Sequence, residues 1–384
     1  MNESNKFIKK TVPRLVAALV AILMALGLFV FNRYIVYKPD AKRNNDIKFV
    51  VDTGEGEGEK EIKYSETSFN FLVMGHDRIA SLTDVILIIN YDTEKQAVTM
   101  MQFPRDSYFR IDDYYYHKIN GLYNYCIMDA EAEGSKNPQL DGLKKTAEYF
   151  EKNLAIKIHY SAVMDLDGFA GIVEAIGGVD MYVPMRMVYS DPYQNPPLYI
   201  DLQEGYQHLD GNTAEQFVRY RYGYVTGDYG RQDAQKLFIS AFIKKLKTSI
   251  SDVSTVTALA KNVITYVDTD INDADMIYFG KCFLGIGGDN GAVDMNNIKM
   301  FTMPGCDTMW NSASMYCMNK EYTADIVNEY FNIYDFDIHQ SFDRDEVFVT
   351  PDESEISAIY YASKENAIFT EYSAGGLDEK GLEG

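Results

Sequence analysis

The stretch Phe217–Gln235, FVRYRYGYVTGDYGRQDAQ, holds Arg219, Arg221 and Arg231 close together, with Asp228 between them and Gln235 one helical turn past Arg231. Guanidiniums this close need an anionic ligand or buried carboxylates between them. Arginine's planar fork suits phosphate oxygens, taken two at a time; a solvated, salt-bridged surface is the competing reading. An extended Val218–Tyr222 places Arg219 and Arg221 on one face, whereas a helix splays them. Upstream, Asp77 follows one apolar run, Asp84 precedes a second, and Arg105-Asp106 follow a third. Two carboxylates on one such edge suit a hard cation that takes oxygen ligands and bridges to substrate phosphates. Singly, each also reads as a turn or cap residue. Lys118, in HKIN, offers a point charge to phosphate or to water.

These residues need a scaffold. FNFLVM (Phe69–Met74), VILIIN (Val85–Asn90) and AVTMMQF (Ala97–Phe103) are short runs, apolar on both faces, and predict strands of a sheet covered on both sides. Leu140–Leu154 then reads as a helix, Ile158–Met164 as a strand, Leu166–Ile176 as a helix and Val179–Val183 as a strand after Gly177-Gly178. Such alternation is an α/β arrangement, and loops at its strand ends are where functional groups are presented. Phe169, Ile172, Val173 and Ile176 recur at helical spacing; that stripe serves equally as core packing or as the lining of an apolar channel.

Composition limits the function classes. The chain has 57 acidic and 36 basic residues, a net charge of −21, so any anion site is local and nucleic acid is not an expected partner. Thirty tyrosines combine apolar rings with hydrogen-bonding tips, which suits sugar clefts and interfaces alike. Lys6, Lys9, Lys10 and Arg14 precede an uncharged run, Leu15–Phe31, that predicts one transmembrane anchor over 15–37, with residues 1–14 cytoplasmic and the rest outside the cell; a cleaved signal peptide is the alternative. Residues 38–67, with GEGEGEKE, read as a flexible acidic tether, and 335–384 as an acidic, weakly structured tail. Cys306 and Cys317 flank a short loop and are candidates for a disulfide. No Cys/His spacing reads as a zinc site and no GxSxG element supports a serine hydrolase.

The motifs FLVMGHD (Phe71–Asp77), TDVILI (Thr83–Ile88), FPRDSYF (Phe103–Phe109), HKIN, IGGVDMYVP (Ile176–Pro184), LDG (Leu209–Gly211), RYRY (Arg219–Tyr222) and GDYGRQDAQ, in this order behind an N-terminal anchor, resemble the LytR-CpsA-Psr family. The resemblance is strong from Ser68 to Ile250 and weaker to about Tyr334. It implies a mixed central sheet with helices on both sides, an α/β/α domain over 68–334. It also implies a membrane-anchored phosphotransferase that moves a teichoic acid or capsular polysaccharide from an undecaprenyl-pyrophosphate carrier to peptidoglycan. Asp77 and Asp84 match the family's Mg²⁺-associated carboxylates. Arg105, Lys118, Arg219, Arg221, Arg231 and Gln235 match its pyrophosphate-binding set, Asp228 matches a further acid of its motifs, and either Asp106 or Asp228 is the acceptor of the hydroxyl proton. Two departures stand out: Leu82 and Ala234 occupy positions where the family usually has arginine, and Arg78 is the nearby substitute for the first. A hydrolase of the same lipid pyrophosphate and a non-catalytic wall-binding or regulatory protein are the alternatives.

Overall fold

The computed structural model describes residues 37–41, 63–77, 80–111, 114, 117–194, 196–250, 252–287, 290–310, 312–338, 356–358 and 371–376. In chain order the elements are β1 (Ser68–Asp77), β2 (Leu82–Asp92), β3 (Ala97–Gln102), α1 (Leu122–Ala132), α2 (Pro138–Leu154), β4 (Tyr160–Met164), α3 (Leu166–Ala175), β5 (Val179–Val183), β6 (Met187–Asp191), β7 (Leu198–Leu202), β8 (Gly205–Leu209), α4 (Gly211–Arg219), α5 (Asp228–Ser249), α6 (Val253–Tyr266), β9 (Val267–Thr269), α7 (Asp273–Leu284), β10 (Ile298–Thr302), β11 (Gly305–Trp310), β12 (Ala313–Met318), α8 (Lys320–Ile326), β13 (Ile356–Ala358) and β14 (Glu371–Ser373). Seven strands form one sheet in the order β14-β10-β3-β2-β1-β4-β9. It is mixed: β1 runs antiparallel to β2 and parallel to β4, and β3 runs parallel to β10.

The alternation of side chains along the central strands builds two cores. Leu72, Met74, Ile86, Ile88 and Met101 face α1 and α2, where Leu122, Leu143 and Phe150 meet them. Phe69, Tyr91, Val98 and Met100 point the other way, toward Val173 of α3, Phe238 of α5 and Phe279 of α7. A strand whose odd and even residues are both apolar requires a cover on each face, and these helices supply it. At its C-terminal end β1 carries a bulge between Gly75 and His76, and Asp77 forms the last pair with Leu82. The bulge re-aims the strand end where Asp77 stands.

Two local features set up α4 and α5. Asp210 caps α4, its Oδ1 accepting the Thr213 N–H at 2.8 Å. Gly227, at φ +63°, turns the chain into α5 through the left-handed region, and Gly230 brings that helix so close to Tyr224 that an added Cβ would lie 2.5 Å from the tyrosine Cβ.

The structure departs from the sequence expectations in three places. Val218 and Arg219 are not extended: they are the last turn of α4, and the chain becomes extended only at Tyr220. The segment after 335 is not loose throughout, because Glu371–Ser373 closes the sheet edge beside β10 and the Ala374 carbonyl accepts the Ser240 hydroxyl at 2.7 Å. The end of the expected anchor and the start of the expected tether pack on the domain: the hydroxyl of Tyr37, the last anchor residue, donates to Asp275 Oδ1 at 2.7 Å, and Ala41 of the tether is buried. Among the described residues no helix is long and apolar enough to cross a membrane; the expected anchor, apart from Tyr37, lies outside them, as does Arg78. Cys306 and Cys317 are cross-strand partners on β11 and β12, and no disulfide joins them.

Candidate functional site

A cavity of about 520 Å³ lies beside the C-terminal end of β1, a volume in the range of small-molecule sites. Phe169, Ile172 and Val173 from α3 and Phe238, Ile239 and Phe242 from α5 supply an apolar wall. Ile176, the fourth residue of the sequence stripe, does not line it. Asp77, Asp84, Arg105, Arg219, Arg221, Arg231 and Gln235 also line the cavity, so residues spread over more than a hundred and fifty positions converge on it. Asp106, Lys118 and Asp228 stand behind these as ion-pair partners.

The charged groups form a paired network. Arg105 Nη1 donates to Asp84 Oδ1 at 2.7 Å, and its Nε lies 3.7 Å from Asp106 Oδ2. Lys118 Nζ holds Asp106 Oδ1 at 3.0 Å, with Asn120 donating to the same oxygen at 3.4 Å. Asp228, the first residue of α5, takes Arg231 at 2.9 Å and Arg221 at 3.5 Å, and Gln232 donates to its Oδ2 at 3.3 Å. Positions 228, 231 and 235 recur at helical spacing, which puts all three on one face of α5. Burial pulls the Arg105 guanidinium down, but the Asp84 hydrogen bond and the charges of Asp84, Asp106 and Asp228 outweigh it and hold Arg105 above the usual arginine value. The two halves of the network therefore share one electrostatic environment.

The Nε groups of Arg105 and Arg231 are buried and have no hydrogen-bond partner among the described residues. A buried donor left unpaired costs about 1–3 kcal/mol. Gln235 has other work: its Oε1 accepts Gln102 Nε2 at 2.7 Å and its Nε2 donates to the Val218 carbonyl at 3.2 Å, tying α5 to β3 and to the end of α4.

Sequence reasoning missed several participants. Glu215 holds Arg219 Nη1 at 2.8 Å across one helical turn. Its i,i+4 spacing was the available signal, hidden by the extended reading of Val218–Tyr222. Tyr189 of β6 and Leu198 and Ile200 of β7 reach the cavity from a hairpin that carried no anion-binding pattern. Of the two absent arginines, Leu82 lines the cavity and Ala234 is fully buried in the second core.

For a divalent cation, Asp77 and Asp84 are hard oxygen donors on the cavity wall. Asp77 Oδ1 also accepts the Ala80 N–H at 3.0 Å, and Asp84 is shared with Arg105. Among the described residues no group of three or more His, Cys, Asp or Glu gathers as a self-sufficient metal cage. Two carboxylates on one wall are the kind of partial protein shell Mg²⁺ takes, its remaining positions going to waters and substrate phosphates.

A mixed sheet between two helical layers, with an apolar cavity lined by paired arginines at one edge, defines an α/β/α protein. The chain belongs to the LytR_cpsA_psr family, whose model matches residues 36–332. It is similar to the polyisoprenyl-teichoic acid–peptidoglycan teichoic acid transferase TagV of Bacillus subtilis, 26% identical over 226 residues, 56% of this chain and 53% of that protein. It is 30% identical over 243 residues to regulatory protein MsrR of Staphylococcus aureus, covering 62% of this chain and 65% of MsrR. The chain thus spans between half and two thirds of the length of these curated relatives. The crystal structure of B. subtilis TagV superposes with a TM-score of 0.52 at 22% identity, over 69% of this chain and 97% of that one. That of TagT bound to LI-WTA gives 0.51 at 19% identity, over 76% and 97%. At these identities the structures establish the shared fold.

Proposed function

We propose that this protein is a membrane-anchored phosphotransferase that moves a glycopolymer of teichoic acid or capsular polysaccharide type from an undecaprenyl-pyrophosphate carrier to peptidoglycan, outside the cell. One observation carries the reading: a single cavity has an apolar wall from α3 and α5 and a cluster of arginines with unpartnered buried N–H groups. A polyprenyl pyrophosphate has the same two parts. The family membership and the transferase relatives support it, and the uncharged run 15–31 suits the anchor.

Phosphoryl transfer depends mainly on positioning and on stabilising charge at the transferring group. The tail lies along Phe169, Phe238 and Phe242. Arg105, Arg219, Arg221 and Arg231 take the non-bridging oxygens with the donors left over from their carboxylates. A peptidoglycan hydroxyl attacks the sugar-side phosphorus; the new O–P bond forms as the bond to the bridging oxygen breaks, and polyprenyl phosphate leaves. Asp228, with both oxygens engaged, holds Arg221 and Arg231 in place. Asp106, whose Oδ2 has only Arg105 Nε at 3.7 Å among the described residues, takes the hydroxyl proton. Mg²⁺ at Asp77 and Asp84, when bound, supplies charge neutralisation of the pyrophosphate.

The test uses the full chain in detergent, with a labelled undecaprenyl-pyrophosphate glycan and peptidoglycan oligomers, with and without Mg²⁺. Mg²⁺-dependent linkage to the oligomer, lost in Arg105→Ala, is the expected result. Free glycan without linkage would indicate a hydrolase, and binding without turnover a regulatory role.

A further inference from the structure

Beside the arginine cluster, two tyrosines from distant parts of the chain stack on each other. Tyr189 lies on β6 opposite Ile200, and Tyr222 follows Arg221 in the loop after α4. Their ring centroids are 4.4 Å apart with an interplanar angle of 13°, and the Tyr222 hydroxyl reaches that of Tyr189 at 3.4 Å. Both rings line the cavity, yet Tyr222 remains 56% exposed. The stack therefore stands at the cavity wall, with Tyr222 largely outside the core. An apolar tail gains most from a dry wall such as that of Phe169, Ile239 and Phe242. A half-exposed aromatic with a hydroxyl tip suits a ligand that is apolar on one face and polar around its edge. A pyranose ring is such a ligand: its axial C–H groups form an apolar face and its hydroxyls ring the rim. Gln194, at the turn of the same hairpin, also lines the cavity and brings a carboxamide able to donate to or accept from those hydroxyls. Arg221, directly before Tyr222 in sequence, is held at 3.5 Å by Asp228, so the platform adjoins the anion cluster.

We propose that the Tyr189–Tyr222 stack is the donor-specificity platform of this site, taking the pyranose ring bonded directly to the pyrophosphate. The proposal rests on the pyrophosphate-donor reading above and deepens it: the sugar nearest the phosphate, and not only the lipid and the phosphates, is recognised.

Equilibrium binding to the full chain, with geranyl pyrophosphate and with geranyl-pyrophosphoryl N-acetylglucosamine, tests it. The native protein should bind the sugar-bearing probe about tenfold more tightly, as expected for burying one ring face on an aromatic. Tyr222→Leu should remove that increment while changing affinity for geranyl pyrophosphate less than twofold. Tyr222→Phe should keep most of it, which separates the ring from the fold of the loop, and geranyl pyrophosphate serves as the folding control for both variants. Equal affinity of the native protein for the two probes would overturn the platform and leave the donor reading intact. Failure of both probes to bind would overturn the donor reading and the platform with it.

Discussion

Arg231 pairs with Asp228 and lines the cavity, and a double variant separates its ion pair from the proposed anion contact. Its side chain is 5% exposed and pairs with Asp228 at 2.9 Å, while Asp228 is 35% exposed and keeps Arg221 at 3.5 Å and Gln232 at 3.3 Å. Removing one partner of a fully buried pair costs about 3–5 kcal/mol. Water reaches Asp228, so Arg231→Met should cost only about 1–2 kcal/mol. For a domain of this size that is a fall in Tm of about 2–6 °C. Adding Asp228→Asn removes the orphaned carboxylate and should restore most of the lost stability. Affinity for geranyl pyrophosphate should not return. Losing a charged hydrogen bond to phosphate costs about 1.5–3 kcal/mol, or about 10- to 150-fold in Kd. Thermal melts and titration calorimetry on the native protein, both single variants and the double variant complete the cycle. If the double variant recovers tight pyrophosphate binding along with its Tm, Arg231 only props Asp228, and the anion-clamp reasoning is wrong.

Narrowing the apolar slot should act on the tail alone: Ile239→Trp is expected to weaken geranyl pyrophosphate binding about tenfold while inorganic pyrophosphate binds as before, and equal loss for both ligands would refute the division of the cavity. His159 is buried and, through that burial and the Lys157 charge, its pKa falls to about 3. It stays neutral when folded but gains a proton when unfolded below about 6.5. Stability should therefore drop as pH falls from 6.5 toward 3, and His159→Gln should flatten urea midpoints measured between pH 5 and 7.5. Burial pushes the Cys126 and Cys317 thiols up to about 12, so iodoacetamide at pH 8 should leave both unmodified in the native protein and label them after denaturation, as read by mass spectrometry. Truncation after residue 370 removes β14 and uncovers the edge of β10; a lower Tm and increased aggregation are expected, and an unchanged melt would show that the edge strand contributes nothing.

The central strands were legible because each is apolar on both faces, a pattern that admits few alternatives, and their starts and ends fell within a few residues of the structure. That the arginines gather with carboxylates was legible too, since closely spaced arginines in an acidic chain require partners. How they are paired was not. An extended 218–222 would have put Arg219 and Arg221 on one face, whereas the Asp210 cap starts a helix that runs through Arg219 and brings Glu215 under it. A cap three residues before Thr213 outweighed β propensity in a segment this short. The hairpin β6–β7, the packing of Tyr37 on α7 and the three-residue strand β14 depend on contacts between segments far apart in sequence. No local periodicity records them. Ala234 could be read as a missing charge, but only its burial reveals that this face of α5 belongs to the core.

The internal pairing of the arginines has a consequence for how ligands enter. Arg105, Arg219, Arg221, Arg231 and Lys118 are paired with Asp84, Asp106, Glu215 and Asp228, and Asp77 and Asp165 also line the cavity, so the cluster carries no net positive charge before anything binds. A polyanion arriving there does not fill a positive hole. It displaces internal counter-charges and brings in negative charge of its own. A divalent cation entering at Asp77 and Asp84 would restore the balance, and by thermodynamic reciprocity each would raise the affinity of the other by the same factor. The cluster would then behave as a coincidence detector, holding anion and cation weakly apart and tightly together.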